Sequence, residues 1–285
     1  MTTTADGTPP MAKTWFITGA SSGLGRLMTE SLLARGDRVI ASVRRPGVLD
    51  ALQQVHGERL SVYRLDVTDV VGIRRTLDKA FAAAGRIDVV VSNAGYGLFG
   101  AAEELSDAQI ERQLATNLTG SIQIVRAALP HLRRQGGGRV LQVSSEGGQM
   151  AYPGFSLYHA TKWGIEGFIE SVAQEVAPFG IDFVIAEPGP TATNFGAGLA
   201  LGEPMEVYEE TVVGALRRAF FDGSFVIKGD GPRTAAAMIA VADGERPPLR
   251  LALGSTAYES LSRVLAERLE SVEAQRDVTC SVDAD

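Results

Sequence analysis

Cysteine is almost absent. The 285 residues contain one, Cys280, in the polar stretch RDVTCSVDAD, so no internal disulfide can form and a reducing, cytoplasmic setting is expected. Histidine is scarce too: His56, His131 and His159 are scattered without a repeated ligand spacing, so no metal site is expected. No apolar run approaches the roughly 20 residues that a membrane span requires. The opening residues MTTTADGTPPMAKTW lack the apolar stretch of a secretory signal and read as a flexible leader over residues 1–12. Basic residues are outnumbered, 27 Lys and Arg against 34 Asp and Glu, and they form no cluster, which argues against general nucleic-acid binding.

What the chain does contain is a rhythm. Strand-length runs rich in Val and Ile (TWFITG, DRVIASV, RLSVYRLDV, IDVVVSNAG, GRVLQVSS, IDFVIAEPG) alternate with longer segments of helical period. Strands separated by helices imply βαβ units and a parallel sheet, and their near-continuous apolar character implies cover on both faces. With PLRLALG as a seventh strand, the expectation is an α/β, doubly wound, mostly parallel seven-stranded sheet in one domain over residues 13–285. The rhythm loosens after Gly189. Residues 190–232 read as an irregular substrate loop with one helix around Val207 to Phe221, and residues 257–285 as a C-terminal helix and tail.

The junction of the first strand and first helix reads FITGASSGLGRL, with Gly19, Gly23 and Gly25 around Ser21, Ser22 and Leu24. Glycines there permit a tight turn and close approach of backbone to a pyrophosphate at a helix N-terminus, and the serines add hydroxyl donors. The second strand ends in ASVRRPG. No carboxylate stands between Ile40 and Val48 to meet a ribose 2′-hydroxyl, whereas Arg44 and Arg45 suit a 2′-phosphate. NADP(H) is therefore favoured over NAD(H). Asp66, followed by Val67, closes the third strand within reach of an adenine, and the small residues Asn93, Ala94 and Gly95 let a ribose lie against the fourth strand's end.

In FSLYHATKWGIEGF, Tyr158 and Lys162 stand four residues apart, which places them on one face of a helix. A cation beside a phenol lowers its pKa, as a proton donor near neutral pH would need. With six Tyr and four Lys in the chain, the spacing alone is a weak signal. It gains weight from LATNLTGS, which puts Asn117 inside a helical pattern that Asn disturbs, and from LQVSSEGG, which ends the fifth strand in Ser144 and Ser145. Taken in order, TGASSGLG, SNAG, NLTG, the serine thirteen residues before Tyr158, YHATK and PGPTAT resemble the short-chain dehydrogenase/reductase family in its single-domain form, from about Lys13 to Leu253. ASVRRPG and the extended C-terminal part are similar to the branch containing 17β-hydroxysteroid dehydrogenase-like proteins. Ser92 and Thr161 depart mildly from the family's usual Asn and Ser.

The resemblance implies a tetrad of Asn117, Ser145, Tyr158 and Lys162. It further implies that Ser145 steadies a substrate carbonyl, that Tyr158 protonates it, and that Lys162 lowers the phenol's pKa and binds the nicotinamide ribose. Asn117 would hold a water that reprotonates Lys162, while Thr191 and Thr193, after Pro188 and Gly189, would meet the carboxamide. The expected pocket wall is Tyr96, Leu98, Phe99, Gln149, Met150, Tyr152, Phe155, Phe195 and one of Phe220 or Phe221, an apolar lining suited to a hydrophobic ketone or aldehyde. Ile122, Val125, Leu129, Phe168, Val172 and Val176 form second helix faces that the family commonly pairs, so a homo-oligomer, dimer or tetramer, is expected. An NAD-dependent alcohol dehydrogenase working oxidatively and a non-catalytic dinucleotide sensor are the alternatives.

Overall fold

The computed structural model of the chain describes residues 12–284; the leader expected over residues 1–12 lies outside them except for its last residue. Seven strands form one sheet: β1 (Thr14–Thr18), β2 (Arg38–Val43), β3 (Leu60–Arg64), β4 (Val89–Ser92), β5 (Gly138–Val143), β6 (Ile181–Pro188) and β7 (Arg250–Leu253). Their order is β7-β6-β5-β4-β1-β2-β3, and every pairing is parallel.

Alternation along each strand divides the core in two. In β1, Phe16 faces a core shared with α3 (Val70–Ala84), α5 (Ser121–Arg134) and α6 (Ser156–Val176). Its neighbours Trp15 and Ile17 face the opposite core, beneath α1 (Gly23–Arg35) and α8 (Gly231–Asp243). Both faces are thus dry, which is why these strands carry no polar alternation. Strand order reverses between β1 and β4, and the C-terminal ends of the strands flanking such a switch point are where ligands bind in sheets of this kind.

Several local details differ from the sequence reading. Asp66 lies two residues beyond β3, exposed, and does not close the strand. The helix expected from Val207 starts later, as α7 (Val212–Asp222), because the Thr211 side chain caps it by accepting from the Val213 N–H. The tail around Cys280 is not plain coil: α9 (Ser255–Ala274) is followed by a short exposed helix, α10 (Arg276–Cys280). Of the residues assigned to second helix faces, Val125, Val172 and Val176 face the sheet and belong to the core. Ile122, Leu129 and Phe168 are only partly buried, and Leu129 and Phe168, with an edge of Val172, line a groove between α5 and α6. Among the described residues no helix is long and apolar enough to cross a membrane.

Candidate active site

The glycine loop is tight because its neighbours leave no room for side chains. Gly19 has φ of 67°, and a Cβ on it would lie 2.9 Å from Ala94 Cα. A Cβ on Gly25 would stand 2.5 Å from Asn93 Nδ2 and 2.6 Å from Gly19 O. Asn93 acts as the strut between loop and sheet: its Nδ2 donates to Thr18 O (2.8 Å) and Gly19 O (3.3 Å), and its N–H donates to Thr18 Oγ1 (2.9 Å). At the start of α1, Ser22 makes no side-chain cap and no acid occupies the first turn. Free amides at the positive end of a helix, with backbone that can be approached closely, fit the pyrophosphate of a dinucleotide. Ser21 and Ser22 are exposed there, whereas Leu24 turns inward onto the core.

Arg44 and Arg45 follow β2 directly, both exposed, and neither forms an ion pair among the described residues. Asp66 Oδ1 accepts from Thr68 N (3.0 Å) and Thr68 Oγ1 (2.8 Å). Those bonds, with help from Arg44 and Arg112, hold its carboxyl below the usual range. Val67 is buried, and its carbonyl lies so near Gly120 that a Cβ there would come within 2.8 Å.

Between α4 (Asp107–Gln113) and α5 the helix widens into a π turn, Leu114–Gly120, which holds Asn117. The Asn117 side chain ties the π turn to Tyr96: Oδ1 accepts from Tyr96 N (3.1 Å) and Nδ2 donates to Tyr96 O (2.8 Å). It thereby shapes the bend after β4. Ser144 and Ser145 diverge at the end of β5. Ser144 donates to Glu166, while Ser145 accepts from Gly147 N (3.1 Å), donates to Pro188 O (3.4 Å) and lies near enough to Tyr158 to favour its phenolate.

Tyr158 and Lys162 do share one face of α6, with Lys162 Nζ 5.5 Å from the phenol ring centroid and donating to Val143 O at 2.9 Å. The electrostatics depart from the expectation of a lowered phenol. Burial pushes Tyr158 up to about 12, a push that nearby Ser145 opposes and that Glu146 and Glu166 reinforce. Burial also draws Lys162 down to about 8, against the pull of Glu166. Burial is the largest cause of both shifts.

Thr193 faces the glycine loop, its Cβ 3.9 Å from where a Cβ on Gly23 would stand, whereas the Thr191 hydroxyl turns back to Gly189 O (2.8 Å). Phe99, Phe155, Tyr158 and Val213 form a third apolar cluster with Tyr152, Leu199 and Phe220 against it. Phe195 lies edge-on over Tyr158, ring centroids 5.7 Å apart. Of the other expected wall residues, Gln149 Nε2 is held by both oxygens of Glu187 (2.9 and 2.8 Å), and the backbone of Leu98 pairs with that of Ala200. The Met150 carbonyl accepts from Trp163 Nε1, and Phe221 points outward, 69% exposed.

The sequence reading missed a set of buried charges around this site. Glu146, directly after Ser145, is buried with no partner for Oε2 among the described residues, and burial pushes its carboxyl up to about 7. His159 is buried with both ring nitrogens unpartnered among the described residues, and burial draws it down to about 4. Glu166, Glu187 and Arg250 form an ion cluster behind the site. Glu166 follows Lys162 by the same four residues that separate Lys162 from Tyr158, so one more step along the helix would have found it.

Residues 13–203 match the family described as short chain dehydrogenase. An oxidoreductase of Botryotinia fuckeliana is 37% identical over 271 residues, covering 94% of this chain and 98% of its own length. A 3-ketodihydrosphingosine reductase of Bacteroides thetaiotaomicron is 31% identical over 239 residues, 84% of this chain and 86% of its own. The structure of a short-chain dehydrogenase from Streptomyces avermitilis superposes with a TM-score of 0.88 at 39% identity, over 96% of this chain and 100% of that one. An alcohol dehydrogenase from Thermococcus sibiricus, solved with 5-hydroxy-NADP, gives 0.69 at 26% identity, over 85% of this chain and 96% of that one.

Proposed function

Since the chain belongs to the short-chain dehydrogenase/reductase family and is thereby an NAD(P)-dependent oxidoreductase, we propose that it uses NADPH to reduce a hydrophobic ketone or aldehyde. The observation that carries this reading is the meeting of Ser145, Tyr158 and Lys162 at the strand ends, beside the glycine loop.

When bound, the reduced nicotinamide supplies the hydride. The chain's residues do the rest. Ser145, whose hydroxyl lies near Tyr158, donates to the substrate oxygen and steadies the charge that develops there. Tyr158 transfers its phenolic proton to the same oxygen, so the carbonyl becomes an alcohol. A high phenol pKa keeps that proton in place until an alkoxide, a far stronger base, forms. Lys162 holds the ribose and stays cationic below about 8, ready to return a proton. Gly19, Gly23, Gly25 and the first amides of α1 take the pyrophosphate, with Pro188, Gly189 and Thr193 at the nicotinamide end. Arg44 and Arg45 take the 2′-phosphate, which favours NADPH. The aromatic cluster of Phe99, Tyr152, Phe155, Phe195 and Phe220 suits an apolar substrate.

The ketoreductase name carried by a relative and the NADP derivative bound by a structural neighbour support the same direction and cofactor. A cytoplasmic homo-oligomer, paired through the α5–α6 face, completes the proposal. The test is a panel of ketones and aldehydes, steroids included, with purified protein and NADPH. Consumption of NADPH with some member, lost in Tyr158→Phe while NADPH still binds, is expected. No turnover across the panel, or full turnover by Tyr158→Phe, overturns it.

A further inference from the structure

Tyr158, Lys162 and Glu166 follow one another at four-residue intervals along α6, and all are buried, with 6%, 7% and 1% of their surface exposed. Lys162 and Glu166 rest on consecutive residues at the end of β5. The ammonium donates to Val143 O at 2.9 Å, and the carboxylate accepts from the Ser144 hydroxyl. The other oxygen of Glu166 accepts from Arg250 Nη1 at 2.5 Å. Space for this carboxylate exists because residue 148 is glycine; a Cβ there would lie 1.7 Å from Glu166 Oε1.

We infer that Glu166 is a positioning residue, whose carboxylate, pinned between Ser144 and Arg250, keeps Lys162 in its ammonium form. The groups facing the pair leave this task to Glu166. On α6 itself stand Tyr158, neutral until strongly alkaline pH, and His159, which burial keeps uncharged near neutrality. Glu146 follows β5 and is pushed up to about 7 by burial. Glu187 on β6 and Glu170 on α6 are both paired with Arg250 on β7. Burial pushes Glu187 up to about 7 and raises Glu166 as well, but at Glu166 the Ser144 hydroxyl, Arg250 and Lys162 oppose that rise and favour the carboxylate. Burial alone drives a lysine toward the neutral amine, and Glu166 is the group that opposes this. A neutral Lys162 would hold ribose hydroxyls without charge and would lose its means of returning a proton.

The link to turnover rests on the reductase reading above; the coupling of the two side chains does not. A direct measurement is therefore available. The chain has four lysines (Lys13, Lys79, Lys162, Lys228), so lysine labelled with 13C at Cε gives few NMR signals, and Lys162→Arg assigns the one of interest. Glu166→Gln keeps oxygen and nitrogen atoms for Ser144 and its neighbours while removing the charge. It is expected to lower the titration midpoint of Lys162 by about one pH unit. Glu166→Asp, which restores the charge, is expected to recover most of that shift. In the reductase assay the alkaline limb of the pH–rate profile should move down with it. An unchanged or raised midpoint in folded Glu166→Gln overturns the inference. If that variant does not fold, the doubly neutral Glu166→Met, Arg250→Met chain is compared with Arg250→Met alone: the double variant must have the lower Lys162 midpoint, and an equal or higher value overturns the inference. A midpoint that moves while the rate profile stays fixed supports the coupling and counts against Tyr158 and Lys162 as the proton path.

Discussion

Arg217 Nη2 lies 2.6 Å from each carboxylate oxygen of Glu104, whose side chain is wholly buried. This pair joins α7 to the segment after β4, and Glu104 also accepts from Ala101 N (2.7 Å) and Met205 N (2.9 Å). One carboxylate thereby anchors both ends of the stretch that covers the aromatic cluster. A buried charge left without its partner costs about 3–5 kcal/mol. In Arg217→Met that cost is expected to be relieved by local opening of α7 more than by global unfolding. Hydrogen exchange should quicken over residues 205–222 and stay slow in the sheet, with KM raised more than kcat falls. Uniform protection in the variant would show that the pair does not hold this cover.

Phe195, 40% exposed, stands over Tyr158 at an interplanar angle of 61°. A substrate carbonyl that reaches the phenol must share this space with the ring or displace it. Phe195→Ala is expected to favour bulky apolar ketones over small ones, changing the ratio of their kcat/KM by about tenfold. Equal effects on large and small substrates would place Phe195 outside the substrate's path.

The fold and the site were legible in the sequence to different depths. Strand-length apolar runs and the βα rhythm are local signals, and they placed the seven strands, the glycine loop and the Tyr158–Lys162 face. Long-range geometry had no such signal. Nothing in LQVSSEGG indicates that Ser144 turns toward Glu166 while Ser145 lies near Tyr158, because that depends on α6 packing over the strand end. Gln149 reads as a loop residue free for substrate, yet Glu187, 38 positions on, claims both of its contacts. The rise at Tyr158 was hidden for the same reason: spacing reveals a neighbouring charge, but not how much water burial removes.

Arg44 and Arg45 are exposed at the end of β2, and neither forms an ion pair among the described residues. A charge-assisted hydrogen bond contributes about 1.5–3 kcal/mol, or roughly 10- to 150-fold in affinity. Arg44→Ala is expected to weaken NADPH by at least the lower figure and leave NADH unchanged, by fluorescence titration at fixed salt. Equal wild-type affinities for the two cofactors would overturn the assignment of these arginines.

Glu146 makes stability depend on pH in a direction opposite to that of most carboxylates. Its folded-state value, about 7, lies above the ordinary 4.5, so between these pH values the folded chain holds a proton that the unfolded chain releases. Stability is therefore lost as pH rises from 4.5 to 7, by roughly 3 kcal/mol at most. Glu187, pushed up to about 7 chiefly by burial, acts in the same sense. His159 acts oppositely: neutral when folded down to about 4, it adds stability as pH rises from 4 to 6.5. A single wild-type curve would blend these effects, so the measurement is the difference between wild type and Glu146→Gln. By urea unfolding at pH 4.5, 6 and 7.5, the variant is expected to gain on wild type at each step. A gap that stays constant across this range would mean that Glu146 ionises normally in the folded protein, its unpartnered oxygen solvated.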